Sequence, residues 1–358
     1  MGLYYKMKPI FIPDPRASWK NLCAHADVVY LEQHLEKVDW NILSKNTNAI
    51  PLIEQHLHEN IDKINWFWLS RNKQVCSMLN KPHMFRLCED RINWSSMCDL
   101  PNIDTFLEKY PDKIQWHWLC ENTTVVPFLE KHPEKIDWYW LSQNPNAIHL
   151  LEQNIEKVNW GRLGRNPNAI HLLETRMDEI DWAYVCNNPN ALPLLKKYPE
   201  KIIWELACNN PNLVPLFEKH IDHVVWEYVC HSKTTPELIQ FLESHVDKLS
   251  SVCWEVLSSD PNAMPLLEKY PDKIVWKYFC LNPAAIPHLE KHPDCIHWKY
   301  LSANPNALHL LFKLDQEKMR QTNETFREEL FAYVFDPDRM NRLSKQSEFD
   351  LRTYLSLY

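Results

Sequence analysis

Apolar side chains in this chain recur in a phrase that returns every 22 residues. Its clearest statement is IDWYWLSQNPNAIHLLEQNIEKVNW, residues 136 to 160. A Trp is followed three positions on by Leu (Trp138 then Leu141, Trp160 then Leu163), the spacing of one face of a helical turn. After a polar break, Ile148, Leu150, Leu151 and Ile155 return at helical spacing. Of the eleven Trp-to-Trp intervals from Trp40 to Trp298, eight are 22 residues and the others are 26, 28 and 28. Trp19 adds a degenerate first copy, so thirteen copies cover residues 19 to 312 and the repeat is nearly the whole chain.

Lining up the copies assigns a task to most positions. Four residues after the Trp the side chain is always Cys, Ser or Gly, as at Cys120, Ser142 and Gly164. That is a volume limit and predicts a close helix contact. Seven of the eleven cysteines fall in this slot and read as small packing residues. Six residues after the Trp stands Asn in nine of the thirteen copies, usually followed by Pro. Asn144 is expected to cap a helix whose first position is Pro145. A proline five residues before the next Trp (Pro111, Pro133, Pro199, Pro271, Pro293) is expected to stop that helix. Asp39, Asn65, Asn93, Asp137, Asn159 and Asp181, each directly before a Trp, predict a cap for a second, shorter helix. Ile203, Val225 and Val275 lack that chemistry.

The pattern therefore predicts an all-α solenoid of helical hairpins. Each has a helix of about two turns carrying Trp and Leu, a tight turn, and a helix of about three turns. A leucine-rich repeat is the rival, because 22 lies in its range and LSxN resembles its consensus. Its strand needs alternating apolar residues, whereas Trp138 and Leu141 are three apart. Thirteen layers at about 8 to 10 Å predict an elongated solenoid of roughly 100 Å. The longer copies, after Trp66 and after Trp226, are expected to emerge as longer loops or to alter the superhelix locally. Residues 1–18 and 313–358 read as terminal caps flanking the 19–312 array, the latter as two or three helices broken at Asp336-Pro337.

LSxNPNAIHLLE followed by KIxW, with the tail ELFAYVFDPDRM, resembles the NPNAI-type short-repeat proteins encoded by giant DNA viruses of protists, over about residues 19 to 340. That resemblance implies a viral protein acting in the cytoplasm of an infected cell, at the viral factory, or in a virion.

Composition narrows the chemistry. With glycine only at 2, 161 and 164, there is no phosphate loop, dinucleotide fingerprint or nucleophile elbow. No catalytic motif stands out, and no enzyme, cofactor or metal is expected. No cysteine pair has zinc spacing. His56, His132, His220 and His292 share one slot, sixteen after the Trp, but one His per layer does not converge on an ion. A net charge of −8 with no basic block weighs against a nucleic-acid binder. No apolar run is long enough to span a bilayer and no signal peptide opens the chain; Lys6 stands where a myristoylation signal has Ser or Thr. The recurring Glu and Lys positions read as exposed ladders.

What remains is a second aromatic stripe, two residues after the marker: Trp68, Trp118, Trp140, Tyr184, Tyr228, Tyr278 and Tyr300. Two helical steps turn about 200°, so these side chains are expected to point away from a core-facing Trp. They then either pack between hairpins or form an exposed track, interrupted at Gly161-Arg162. Trp and Tyr are the residues interface hot spots favour. The expectation is a non-enzymatic scaffold that holds a protein partner along one face. A structural virion component and, more weakly, a nucleic-acid binder are the alternatives.

Overall fold

The computed structural model describes residues 11–101 and 103–314. They are helical throughout, apart from turns and two three-residue strands, Phe11–Pro13 and Phe312–Leu314. The expected terminal segments 1–10 and 315–358 lie outside the described residues.

The Trp138 copy shows how the unit is built. Its first helix, Trp138–Leu141, starts where Asp137 accepts a hydrogen bond from the amide of Tyr139 at 3.1 Å. All six predicted Asp or Asn caps make such a bond, and Ile203, Val225 and Val275 do not. Asn144 then accepts from the amide of Asn146 at 3.0 Å, opening a 3-10 turn, Pro145–Ala147, that continues as the α-helix Ile148–Gln153. The late prolines do more than stop a helix. Each opens a further 3-10 turn, Pro133–Lys135 for example, which carries the chain to the next Trp.

The core is made by the residues three after the marker and by the second helix. Leu141, Leu151, Leu163 and Leu173 are fully buried, each contributing about 1.5–3 kcal/mol of transfer free energy. The marker Trp is less central than its regularity suggests. Trp40, Trp160 and Trp254 are buried, but the other markers are half-buried. Where a ring stands sixteen residues later in the same copy, the marker packs on it. Trp116 meets His132 at 5.4 Å, Trp182 meets Tyr198 at 5.8 Å and Trp276 meets His292 at 5.3 Å. The recurrent histidines thus have an aromatic packing task.

In five copies, those of Trp138, Trp160, Trp182, Trp204 and Trp298, three hydrogen bonds tie the copy to the one before. The buried Asn of the turn donates from Nδ2 to two carbonyls of the preceding copy: Asn166 to Ser142 O (3.2 Å) and Asn144 O (2.9 Å), and Asn188 to Gly164 O (2.8 Å) and Asn166 O (2.9 Å). The second Asn of Asn-Pro-Asn adds a bond at the surface, Asn168 to Pro145 O at 2.9 Å. The small slot is more than a space-saver. Its hydroxyl or thiol accepts the amide that precedes the next Trp, as Ser142 Oγ does from Asn159 (2.9 Å) and Cys120 Sγ from Asp137 (3.3 Å). Ser and Cys are both small and able to accept, as Ala is not, and of the thirteen copies only that of Trp160, with Gly164, gives up the acceptor.

The same bonds join the last copy to the first. The amide of Ser18, before Trp19, donates to Ser302 Oγ at 2.8 Å, in the small slot of the Trp298 copy. His25 stands where other copies have the turn Asn, and its Nε2 bonds Ser302 O at 2.7 Å. Asn21 Nδ2 donates to Lys299 O at 2.8 Å, and the Arg16 guanidinium lies 3.8 Å over Trp298. The first copy occupies the place a fourteenth would take. The expected elongated solenoid is therefore closed: within Arg16–Leu308, which form one compact unit, the array returns on itself as a ring. The two apolar end faces of a linear array meet each other.

Closure requires one layer to be spaced more tightly than the other. A Cβ on Gly164 would lie 3.1 Å from Tyr184 Cβ and 3.2 Å from Asp181 O in the next copy. The first helices of successive copies, such as Trp226–His231, Ser251–Ser259 and Trp276–Phe279, pack directly on one another. The first helices thus form the tight, inward layer. The second helices also touch, Val214–Phe217 on Pro236–Ser244 for example, but less closely, and side chains bridge them, His149 to Glu130 at 2.6 Å and His171 to Glu152 at 2.8 Å.

The long copies absorb their extra residues as helix, not as the expected longer loops. The one after Trp66 inserts Pro82–Cys88, and the one after Trp226 lengthens Pro236–Ser244 and starts the next helix at Ser251. In the second compact unit, of which residues 11–15 and 309–314 are described, the two strands pair antiparallel, Ile12 opposite Lys313, and Asp14 N donates to Leu311 O at 2.7 Å.

Candidate functional site

Each residue of the second aromatic stripe follows the marker Trp by two on a first helix whose residue three after the marker (Leu, Val or Phe) is buried, and this turns it to the opposite, open side of the inward layer. None of the seven is buried. Trp68, Trp118 and Tyr228 are 38, 37 and 44 % exposed, and Trp140, Tyr184, Tyr278 and Tyr300 are half-exposed.

They are not equally connected. Trp118 and Trp140 stack at 5.8 Å with ring planes 27° apart, and Tyr278 meets Tyr300 edge-on at 6.0 Å. Trp68 keeps company with Phe67 (5.2 Å) and with Lys45 Nζ, 4.4 Å over its ring. Tyr228 is flanked in the stripe by Leu206 and Val256, which are half-buried.

The expected interruption at Gly161-Arg162 is not a gap. The Arg162 guanidinium fills the slot, 4.4 Å over Trp140, 4.4 Å over Tyr139 and 5.5 Å over Tyr184, with Arg165 4.7 Å over the same Tyr184. Trp118, Trp140, Arg162 and Tyr184 therefore form one unbroken run over four copies. A planar guanidinium stacks on aromatic faces as a ring would. Polar side chains five after the markers brace it: Arg162 Nη1 donates to Gln143 Oε1 (3.2 Å), and Gln143 Nε2 to Glu121 Oε1 (2.5 Å). Burial, then the nearby Asp99, pushes the Glu121 carboxyl above its usual range, with Arg162, Gln143 and Arg165 pulling the other way. Asp99 is itself paired with Arg71 at 2.8 Å. Arg162 Nε is buried and has no partner among the described residues.

Periodicity singles out residues that recur, so it passes over Arg162, Gln143 and Glu121, which stand once each in their columns. The signal was an arginine standing in an aromatic slot.

The cysteines of the small slot lie in the packed layer, where burial pushes Cys120 up to about 11. Among the described residues no three His, Cys, Asp or Glu side chains are grouped to hold a metal ion, and no helix is long and apolar enough to cross a membrane. Comparison with protein-family models, with curated proteins and with solved structures finds no match for this chain.

Proposed function

We propose that this chain is a non-enzymatic binding ring that holds a protein partner along the aromatic track of its first helices, centred on Trp118, Trp140, Arg162 and Tyr184. The observation that carries the reading is that this run is continuous, partly exposed and braced by neighbouring side chains. Large amphipathic side chains held in one conformation give contact area at low entropic cost, the property of interface hot spots. Arg162 adds a cation to the track, stacked between Trp140 and Tyr184. Its setting, following the resemblance to giant-virus repeat proteins, is the infected cell or the virion.

The test is selection of peptides from a random display library on the immobilised chain, followed by fluorescence anisotropy on the winners. Trp118→Ala with Trp140→Ala is expected to weaken them about tenfold or more, the scale of one lost hot spot, with thermal unfolding unchanged. Binding that survives the double substitution refutes the track as the site.

A further inference from the structure

Closure brings together side chains from opposite ends of the chain. One and five positions after each marker, the first helices present their remaining open residues. Across the seam these are Lys277 in the Trp276 copy, Lys299 in the Trp298 copy, Lys20 in the Trp19 copy, Lys45 in the Trp40 copy and Arg71 in the Trp66 copy. In these five consecutive copies none of the positions one, two or five after the marker is acidic. Lys20, Lys45, Lys299 and Arg71 are exposed and Lys277 is half-exposed. Among the described residues none of the four lysines is in an ion pair. Arg71 is paired with Asp99 at 2.8 Å, and Asp39, directly before Trp40, is engaged as a cap by the amide of Ile42 at 3.1 Å.

Of the remaining eight copies, the five that flank the arc carry a carboxylate at these positions, while farther round the ring the Trp160 copy carries Arg162 and Arg165. Glu205, Glu227 and Glu255 follow three consecutive markers and end the arc on one side; Asp99, bonded to Arg71, and Glu121 end it on the other. On a chain of net charge −8, this segregation makes a cationic arc bounded by anionic ones. Aromatic rings are set into it: Lys277 Nζ lies 4.8 Å over Tyr278 and 5.1 Å over Tyr300, and Lys45 Nζ lies 4.4 Å over Trp68.

We propose that the arc Lys277–Lys299–Lys20–Lys45–Arg71 is a docking site for a short acidic peptide segment of the partner. Five copies span about 25–40 Å on the tight side of the ring, the reach of roughly eight to twelve extended residues. Carboxylates at alternate positions meet the cations, and the tyrosine rings take the apolar residues between them. A polyanion of greater length would run into Glu255 or Glu121 at the ends, which favours a bounded acidic stretch over a nucleic-acid strand. The proposal rests on the reading of the first-helix side as the binding face and names the partner chemistry for a second sector of it.

The experiment uses the full chain and three fluorescent probes: a peptide of about ten residues with alternating glutamates around one tyrosine, its glutamine counterpart, and an oligothymidylate of similar length. The glutamate peptide is expected to bind, more weakly as salt rises, and the glutamine peptide at least about tenfold less tightly. Lys20→Ala, Lys277→Ala and Lys299→Ala together are expected to cost the glutamate peptide about tenfold or more in Kd, with an unchanged unfolding curve. The pair Trp118→Ala and Trp140→Ala is expected to leave it within about twofold. No binding of the glutamate peptide, indifference to the triple substitution, or tighter binding of the oligothymidylate would overturn the arc. If the display-selected peptides meanwhile remain sensitive to Trp118→Ala and Trp140→Ala, the failure belongs to the arc and not to the track.

Discussion

Asn166 offers the sharpest trial of how the copies hold together. It is fully buried, donates to Ser142 O (3.2 Å) and Asn144 O (2.9 Å) in the preceding copy, and accepts from the amide of Asn168 at 3.0 Å in its own. Asn166→Ala removes all three bonds. Asn144 O keeps a second partner, the amide of Ala147 at 3.2 Å, so the groups most exposed to loss are Ser142 O and the Asn168 amide. An unsatisfied buried group costs about 1–3 kcal/mol. Ser142 is fully buried whereas Asn168 is exposed, so the loss of Ser142 O's partner predicts about 1–3 kcal/mol, a sizeable share of the ~5–15 kcal/mol that domains typically have. Asn168→Ala, one turn away, removes a bond at the exposed surface and is expected to cost less than about 1 kcal/mol. Urea unfolding followed by circular dichroism and by Trp fluorescence measures both, and coincidence of the two probes shows whether the array unfolds as one cooperative unit. A cost for Asn166→Ala below about 1 kcal/mol, or equal to that of Asn168→Ala, would refute the interlocking turn as the source of stability.

At the seam, burial depresses the His25 imidazole below its ordinary value, only partly offset by the bond to Ser302 O. The fold favours the neutral ring, so this contribution is full above the unfolded value near 6.5 and is lost as pH falls through the lower folded value. His25→Asn, which restores the side chain of other copies, is expected to flatten the fall in urea midpoint between about pH 7.5 and about pH 5; an unaltered slope counts against His25 as its source. Thiol labelling of the native chain should be confined to the half-buried Cys76 and Cys295, the other nine being buried, and should reach all eleven only after denaturation. Rapid native labelling of Cys120 or Cys186 would contradict the packed small slot. Gly164→Val forces a branched side chain against Tyr184 Cβ and Asp181 O and is expected to cost about 1–3 kcal/mol in the same unfolding assay; a neutral result would show that the layer yields there.

Much of the unit could be read from the chain because each of its features is local. Caps, turn prolines and the Leu three after Trp depend on neighbours within one copy, and they stand where the periodicity puts them. Two features escaped for a physical reason. Asn144 reads as a cap because caps are local, whereas its two donors act on another copy; the clue was that an amide recurs where Ser or Asp caps equally well. His25, Leu100, Ser232 and Asp260 stand there in the other copies; Asp260 cannot donate, and Thr234 Oγ1 donates to it at 2.5 Å. Closure escaped because curvature is a small rotation summed over many copies, and no single copy encodes the sum. The stripe at Trp68, Trp118, Trp140, Tyr184, Tyr228, Tyr278 and Tyr300 could be found as a column, but its division into connected and isolated members depends on which side chains lie between them. Arg162 joins Trp140 to Tyr184, and Leu206 and Val256 set Tyr228 apart.

The bond between Ser18 and Ser302 also constrains how such a chain can change its length. An open array gains or loses a unit at little cost, since each unit answers only to its neighbours. Here every unit shares a full turn, about 28° each for thirteen, and one duplication would oblige all the others to flatten by about 2° or break the seam. Chain growth is therefore expected within units, as after Trp66 and Trp226, where extra residues become helix and the number of angular steps stays the same. The circle counts its own members.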